Sequence, residues 1–188
     1  DMQISLQNGL EESSKQAILE KVLQKEEVSQ IVETYMVAGT LQNEKKQEDV
    51  QIIVPQKVEE LNTVIELKDV KTKQSVSLTN DKIIITDKVA QLLGAKKGDT
   101  ILLKDSNQVE KTLEISDVVE NYISHYVYMS KELYESIYGL YHTNVVFTQN
   151  QEITEEQEKA LAKDLLKEEE ITAISTTSNI KGLMDDMM

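Results

Sequence analysis

Met2 to Val37 reads MQISLQNGLEESSKQAILEKVLQKEEVSQIVETYMV, and Asn144 to Thr176 reads NVVFTQNQEITEEQEKALAKDLLKEEEITAIST. These two stretches share one rhythm, and that rhythm decides the fold. In the first, Met2, Ile4 and Leu6 alternate with Gln3 and Ser5, the period of a half-buried strand. Ser13, with Gln16 three positions on, has the form of a capping box and predicts a helix from there to about Lys25. Ala17, Ile18, Leu19 and Val22 form its apolar stripe. Val28 to Val37 is rich in β-branched residues and reads as the returning strand. In the second stretch, Asn144 to Phe147 is a strand and Thr154 with Gln157 is a second capping box. Ala160, Leu161, Leu165 and Leu166 make the helix stripe, and Ile171 to Thr176 is a strand.

Strand–helix–strand therefore occurs at both ends of the chain. The economical layout puts both units in one sheet with the helices on one face, a ferredoxin-like arrangement in the α+β class. Residues 1–56 plus 143–188 form this discontinuous porter-like domain. Residues 57–142 are an inserted β-rich subdomain. Its expected strands are Val64 to Val70, Ser75 to Leu78, Lys82 to Ile85, Thr100 to Leu103, Val109 to Val119 and Tyr126 to Met129. Thr86 is expected to cap a short helix that Gly94 stops, and Ser130 to cap a second that ends at Gly139.

Composition removes whole classes of function. The chain has 188 residues, a net charge of -14, 20 basic residues that are all lysine, and no cysteine. Without cysteine there is no disulfide framework, thiolate metal site or cysteine nucleophile. A strongly acidic chain without arginine is a poor fit to nucleic acid, whose affinity comes from phosphate neutralisation. The apolar runs are too short to span a bilayer. The abrupt ends, at Asp1 and at Met184-Asp185-Asp186-Met187-Met188, read as cuts in a longer protein.

Catalytic signals are missing. His125 and His142 are far apart and in no metal-ligand motif, so no metal site and no cofactor are expected. Gly94 to Thr100 has the glycines of a phosphate loop at the wrong spacing, with Asp99 where lysine is needed; a helix stop and a turn explain it. The serines lie in no nucleophile-elbow context, and the paired glutamates fall on solvated helix faces. No catalytic residues are assigned, and the chain reads as a non-enzyme.

The aromatic residues are clustered. Seven of eight lie between Tyr122 and Phe147. Tyrosine combines a large contact area with a polar tip, so Tyr122, His125, Tyr126 and Tyr128 are the candidate partner-binding residues. Packing of the inserted subdomain is the competing role for the same rings.

At these residues the sequence resembles a known family. The stretch Gln91-Leu92-Leu93-Gly94-Ala95-Lys96-Lys97-Gly98-Asp99-Thr100-Ile101 is one part of the likeness. The other is Val118-Val119-Glu120-Asn121-Tyr122 with His125-Tyr126-Val127-Tyr128-Met129. Together they resemble the extracellular domain of large FtsX/MacB-type ABC transporter permeases of Gram-positive bacteria. The resemblance implies a porter-like part of two strand–helix–strand units with an inserted β-rich subdomain, on the outer side of the cell membrane. It implies a membrane tether and a separate cytoplasmic ABC ATPase subunit. It also implies mechanotransmission, in which membrane-helix motion moves the outer domain against a peptide, lipoprotein or cell-wall enzyme. The two chain ends should then emerge close together. A binding or adhesion domain of an anchored surface protein is the alternative, and nucleic acid is not an expected partner.

Overall fold

A computed structural model describes residues 2–121 and 124–176. The chain divides into two compact units: Asp1–Glu33 with Asn144–Met188, and Thr34–Thr143.

The first unit contains strand β1 (Met2–Leu6), helix α1 (Glu12–Leu23), the opening of β2 (Val28–Gln42), β8 (Val145–Asn150), α5 (Glu155–Leu165) and β9 (Ile171–Thr176). Its strand order is β2–β8–β1–β9. β1 is antiparallel to both neighbours. With two strand–helix–strand units in chain order, this is the ferredoxin-like arrangement. The β1 alternation holds, with Met2, Ile4 and Leu6 buried against Ile18, Leu19 and Val22 of α1 and Leu161, Ala162 and Leu165 of α5.

The helix signals were half right. Thr154 and Gln157 form the capping box, with Gln157 N donating to Thr154 Oγ1 at 3.1 Å and Thr154 N donating to Gln157 Oε1 at 2.8 Å. At α1 the N-cap is Glu11, with no side-chain cap bond. The helix starts two residues early, so Ser13 lies inside it, and Gln16 Nε2 donates to Glu12 Oε1 instead. Ala17, Ala160 and Leu166 are exposed rather than part of the apolar stripes, and Lys15 and Ala162 are buried in their place.

The second unit is a closed barrel. It holds the rest of β2, β3 (Gln47–Pro55), a single helical turn α2 (Val58–Leu61), β4 (Lys82–Thr86), α3 (Asp87–Leu93), β5 (Thr100–Asp105), β6 (Glu110–Val119), β7 (Tyr126–Tyr128) and α4 (Lys131–Tyr138). The strands follow the order β3–β7–β4–β6–β5–β2, and β2 pairs back onto β3, which closes the ring. Closure leaves no free sheet edge within the ring. Leu41, Ile52, Ile83, Ile85, Leu103, Ile115 and Val127 fill the inside, each fully buried.

Closure is non-local, and it moves residues 34–56 from the unit expected for them into the barrel. Gly39 makes it possible. It sits opposite both Val50 and Asp105, and a Cβ there would lie 2.6 Å from the Lys104 carbonyl oxygen and 2.8 Å from Ile52 Cδ1. The two strands expected at Val64 to Val70 and Ser75 to Leu78 are not formed. That stretch makes only isolated bridges, Lys68 to Ser75 and Asp69 to Val119. Asp69 Oδ1 accepts from Lys71 N and Thr72 N, both at 2.8 Å, and this turn competes with a ladder.

Candidate functional site

The segment leading into β7 is held by one buried hydroxyl. Thr86, at the N-cap of α3, uses no cap bond. Its Oγ1 donates to the Ser124 carbonyl at 2.8 Å and accepts from Tyr126 N at 3.1 Å. Asn121 Oδ1 accepts from Ser124 N at 2.9 Å, and the His125 carbonyl accepts from Gln51 N at 2.9 Å. His125 and Tyr126 are thus fixed in position and half-buried.

The four candidate residues separate. Tyr122 lies outside the described residues. Tyr126 and Tyr128 stand on one side of β7, with ring centroids 6.1 Å apart in an edge-to-face contact. Tyr128 is only 2% exposed, so its ring packs in the interior and offers no surface to a partner. Burial pushes its phenol well above the ordinary tyrosine value, and neighbouring Tyr126 adds to the shift.

A second aromatic group forms at α4, and the sequence hid its centre. Tyr35, the one tyrosine outside the cluster in sequence, meets three of the rings there. It contacts Tyr134 at 5.4 Å and Tyr141 at 5.9 Å, both edge-to-face, and His142 at 4.3 Å. Tyr134 in turn packs on Tyr138 at 5.2 Å. Lys131 Nζ sits 5.0 Å from the centroid of the Tyr141 ring, within cation–π range. Ser130 Oγ accepts from Leu133 N at 3.1 Å and starts the helix that presents these rings. Burial raises the phenols of Tyr134 and Tyr138, and Tyr35 and Asp105 respectively add to the effect. The Tyr138 hydroxyl donates to the Leu103 carbonyl at 2.9 Å. Beside this group Leu140 is 89% exposed, the most exposed large apolar side chain described. The local signal for Tyr35 was weak, because only the β2–β3 pairing brings it to α4.

Among the described residues, no three or more histidine, aspartate or glutamate side chains converge on a metal-sized site. No described helix is long and apolar enough to cross a membrane. Chemically, the site offers aromatic surface, hydroxyl tips and the Lys131 ammonium.

No family model matches the chain, and no curated protein matches it in sequence. Solved structures do match. The periplasmic region of MacB from Actinobacillus actinomycetemcomitans aligns over 100% of this chain and 93% of its own, with a TM-score of 0.54 and 12% identity. The extracellular domain of the noncanonic ABC-type transporter YknZ from Gram-positive bacteria aligns over 92% of this chain and 98% of its own, with a TM-score of 0.54 and 13% identity. The likeness covers both units, so the chain has the fold of the outer domains of MacB- and YknZ-type transporter permeases.

Proposed function

We propose that the chain is the outer domain of an ABC-type transporter permease, tethered to the cell membrane and facing outward. In this reading it is a non-catalytic module. It couples the ATP-driven motion of membrane helices, powered by a separate cytoplasmic ATPase subunit, to a peptide, lipoprotein or cell-wall enzyme outside. The observation that carries the reading is the match of the whole chain, ferredoxin-like unit and barrel together, to two outer domains of transporters.

The partner-facing part is the segment of Tyr122, His125 and Tyr126, with Tyr128 as its buried anchor. The absence of cysteine from these 188 residues suits an oxidising exterior. A cysteine at exposed Gln157, placed in the complete protein with any cysteines elsewhere replaced, should react in intact cells with a membrane-impermeant maleimide. Reaction only after lysis contradicts the outward placement.

A further inference from the structure

The turn that joins β1 to α1 reads Leu6-Gln7-Asn8-Gly9-Leu10, and it holds the one place in the chain where glycine follows asparagine. The turn is anchored on both sides. Gln7 N donates to the Glu170 carbonyl at 2.8 Å, and Leu10 packs against the buried cluster of Leu6 and Ile18. Between these anchors Asn8 and Gly9 are exposed. Gly9 has a φ of 75°, and a Cβ built on it would meet nothing within 4 Å. Among the described residues, neither the Asn8 carboxamide nor the Gly9 N–H has a hydrogen-bond partner.

An asparagine Cγ lies within reach of the next backbone nitrogen, and attack there closes a five-membered ring. Two things normally prevent it: a hydrogen bond that occupies the N–H, and a Cβ on the following residue that crowds the approach. Gly9 presents neither obstacle. Other asparagines are held. Asn43 Nδ2 donates to the Leu93 carbonyl at 2.6 Å, its Oδ1 accepts from Lys45 N and Lys46 N, and Glu44 follows it. Asn121 Oδ1 accepts from Ser124 N, and Tyr122 follows. Asn150 Oδ1 accepts from Thr148 Oγ1 at 2.8 Å, and Gln151 follows.

We propose that Asn8 is a site of spontaneous covalent modification, deamidation through a succinimide formed with Gly9. Solvent base takes the Gly9 N–H proton, and the nitrogen attacks Asn8 Cγ. The new C–N bond forms as the Cγ–Nδ2 bond breaks, and Nδ2 leaves as ammonia with a proton from solvent. One water then opens the ring. Cleavage of the Cγ–N bond gives aspartate at position 8. Cleavage between the Asn8 main-chain carbonyl carbon and the Gly9 nitrogen gives isoaspartate, with the chain running through Cγ. Nothing is oxidised or reduced, and water is the only co-reactant. Either product adds a negative charge to the turn. Isoaspartate also lengthens the main chain by one carbon, which the exposed pair between Gln7 and Leu10 absorbs. The proposal stands apart from the outer-domain reading, because it rests on this turn alone.

The test is peptide mass mapping of the folded 188-residue chain during incubation in mildly alkaline buffer. The tryptic peptide Asp1–Lys15 contains Asn8 and no other asparagine. It should gain about one dalton, ahead of every other asparagine-containing peptide, at a rate within a few-fold of the same peptide free in solution. Isoaspartyl methyltransferase should label the product, since direct hydrolysis of the side chain gives aspartate alone. Gly9→Ala should slow the gain several-fold, and Asn8→Gln should abolish it. The proposal is overturned if the folded chain stays unmodified while the free peptide converts, or if other asparagines convert as fast. A product without isoaspartate, or a rate that Gly9→Ala leaves unchanged, also overturns it.

Discussion

Met2 and Thr176 stand opposite each other in the β1–β9 ladder, so the first and last strands of the described chain run side by side. Asp1 and Met188 lie outside the described residues, but the strands that lead to them are neighbours. A displacement applied at one of these strands is therefore shared with the other through backbone hydrogen bonds. Directly opposed residues in an antiparallel pair have Cα atoms about 4.5–5.5 Å apart, within the range a disulfide spans. Gln3 and Ser175 are such a pair. The variant Gln3→Cys/Ser175→Cys should form its disulfide on mild oxidation and raise Tm by about 5–10 °C. Differential scanning calorimetry with and without reductant reads this directly.

Barrel closure rests on Gly39. Gly39→Ala sets a methyl against the Lys104 carbonyl and the Ile52 side chain, and the first of these contacts is relieved only by backbone movement. The expected cost is about 2–3 kcal/mol. Gly94→Ala is the control. Its φ of 66° strains an alanine, but nothing lies within 4 Å of the added Cβ. That variant should cost about 1 kcal/mol. Urea denaturation of the pair separates crowding from backbone strain.

The two helix starts make a matched comparison. Thr154→Ala removes a cap that accepts from Gln157 N and should cost about 1 kcal/mol. Ser13→Ala removes no cap, because the N-cap there is Glu11, and should be neutral within roughly 0.5 kcal/mol. Both are read by thermal unfolding.

Tyr126 and Tyr128 should part company on substitution. Tyr128→Ala empties a buried site and should cost about 3–5 kcal/mol. Tyr126→Ala and His125→Ala should leave Tm within a few degrees yet lower transport or partner capture by the complete protein. A large loss of stability at Tyr126 would instead make that ring a packing element.

Alkali should destabilise the fold. Tyr128, Tyr134 and Tyr138 all have phenols raised above 10.0, chiefly by burial. The folded protein therefore holds these protons where the unfolded chain has released them. Stability from this source is intact below pH 10 or so and falls as pH rises past it. Denaturation between pH 8 and about 11.5 should show a flat region and then a decline. Tyr134→Phe should make that decline shallower.

The ferredoxin-like unit was legible because its signals are local. Alternation at Met2 to Leu6 and the capping box at Thr154 act within a few residues. Ser13 misled because a helix can start two residues earlier when Glu11 and Glu12 favour its positive end. Barrel closure was hidden because β2 finds β5 only across long sequence separations, and nothing at Gly39 announces a close backbone approach. Tyr35 stands apart from the other tyrosines in sequence and meets them only because its partner strand β3 contacts α4. Val64 to Val70 looked like a strand by composition, yet the Asp69 turn and bonds to Val118 and Glu120 took its backbone groups. Of the candidate residues, type and neighbourhood were readable, whereas the burial of Tyr128 depends on tertiary packing.

The central claim is that ATP-driven motion reaches this domain. The direct measurement is energy transfer between a dye at Ser106→Cys, on the exposed β5–β6 tip, and acceptor lipids in the surrounding bilayer. It uses the complete protein with its ATPase in lipid discs. The account predicts a transfer efficiency that changes on ATP addition and does not change with a hydrolysis-deficient ATPase. The same efficiency with and without ATP, in a preparation that hydrolyses it, would contradict the claim.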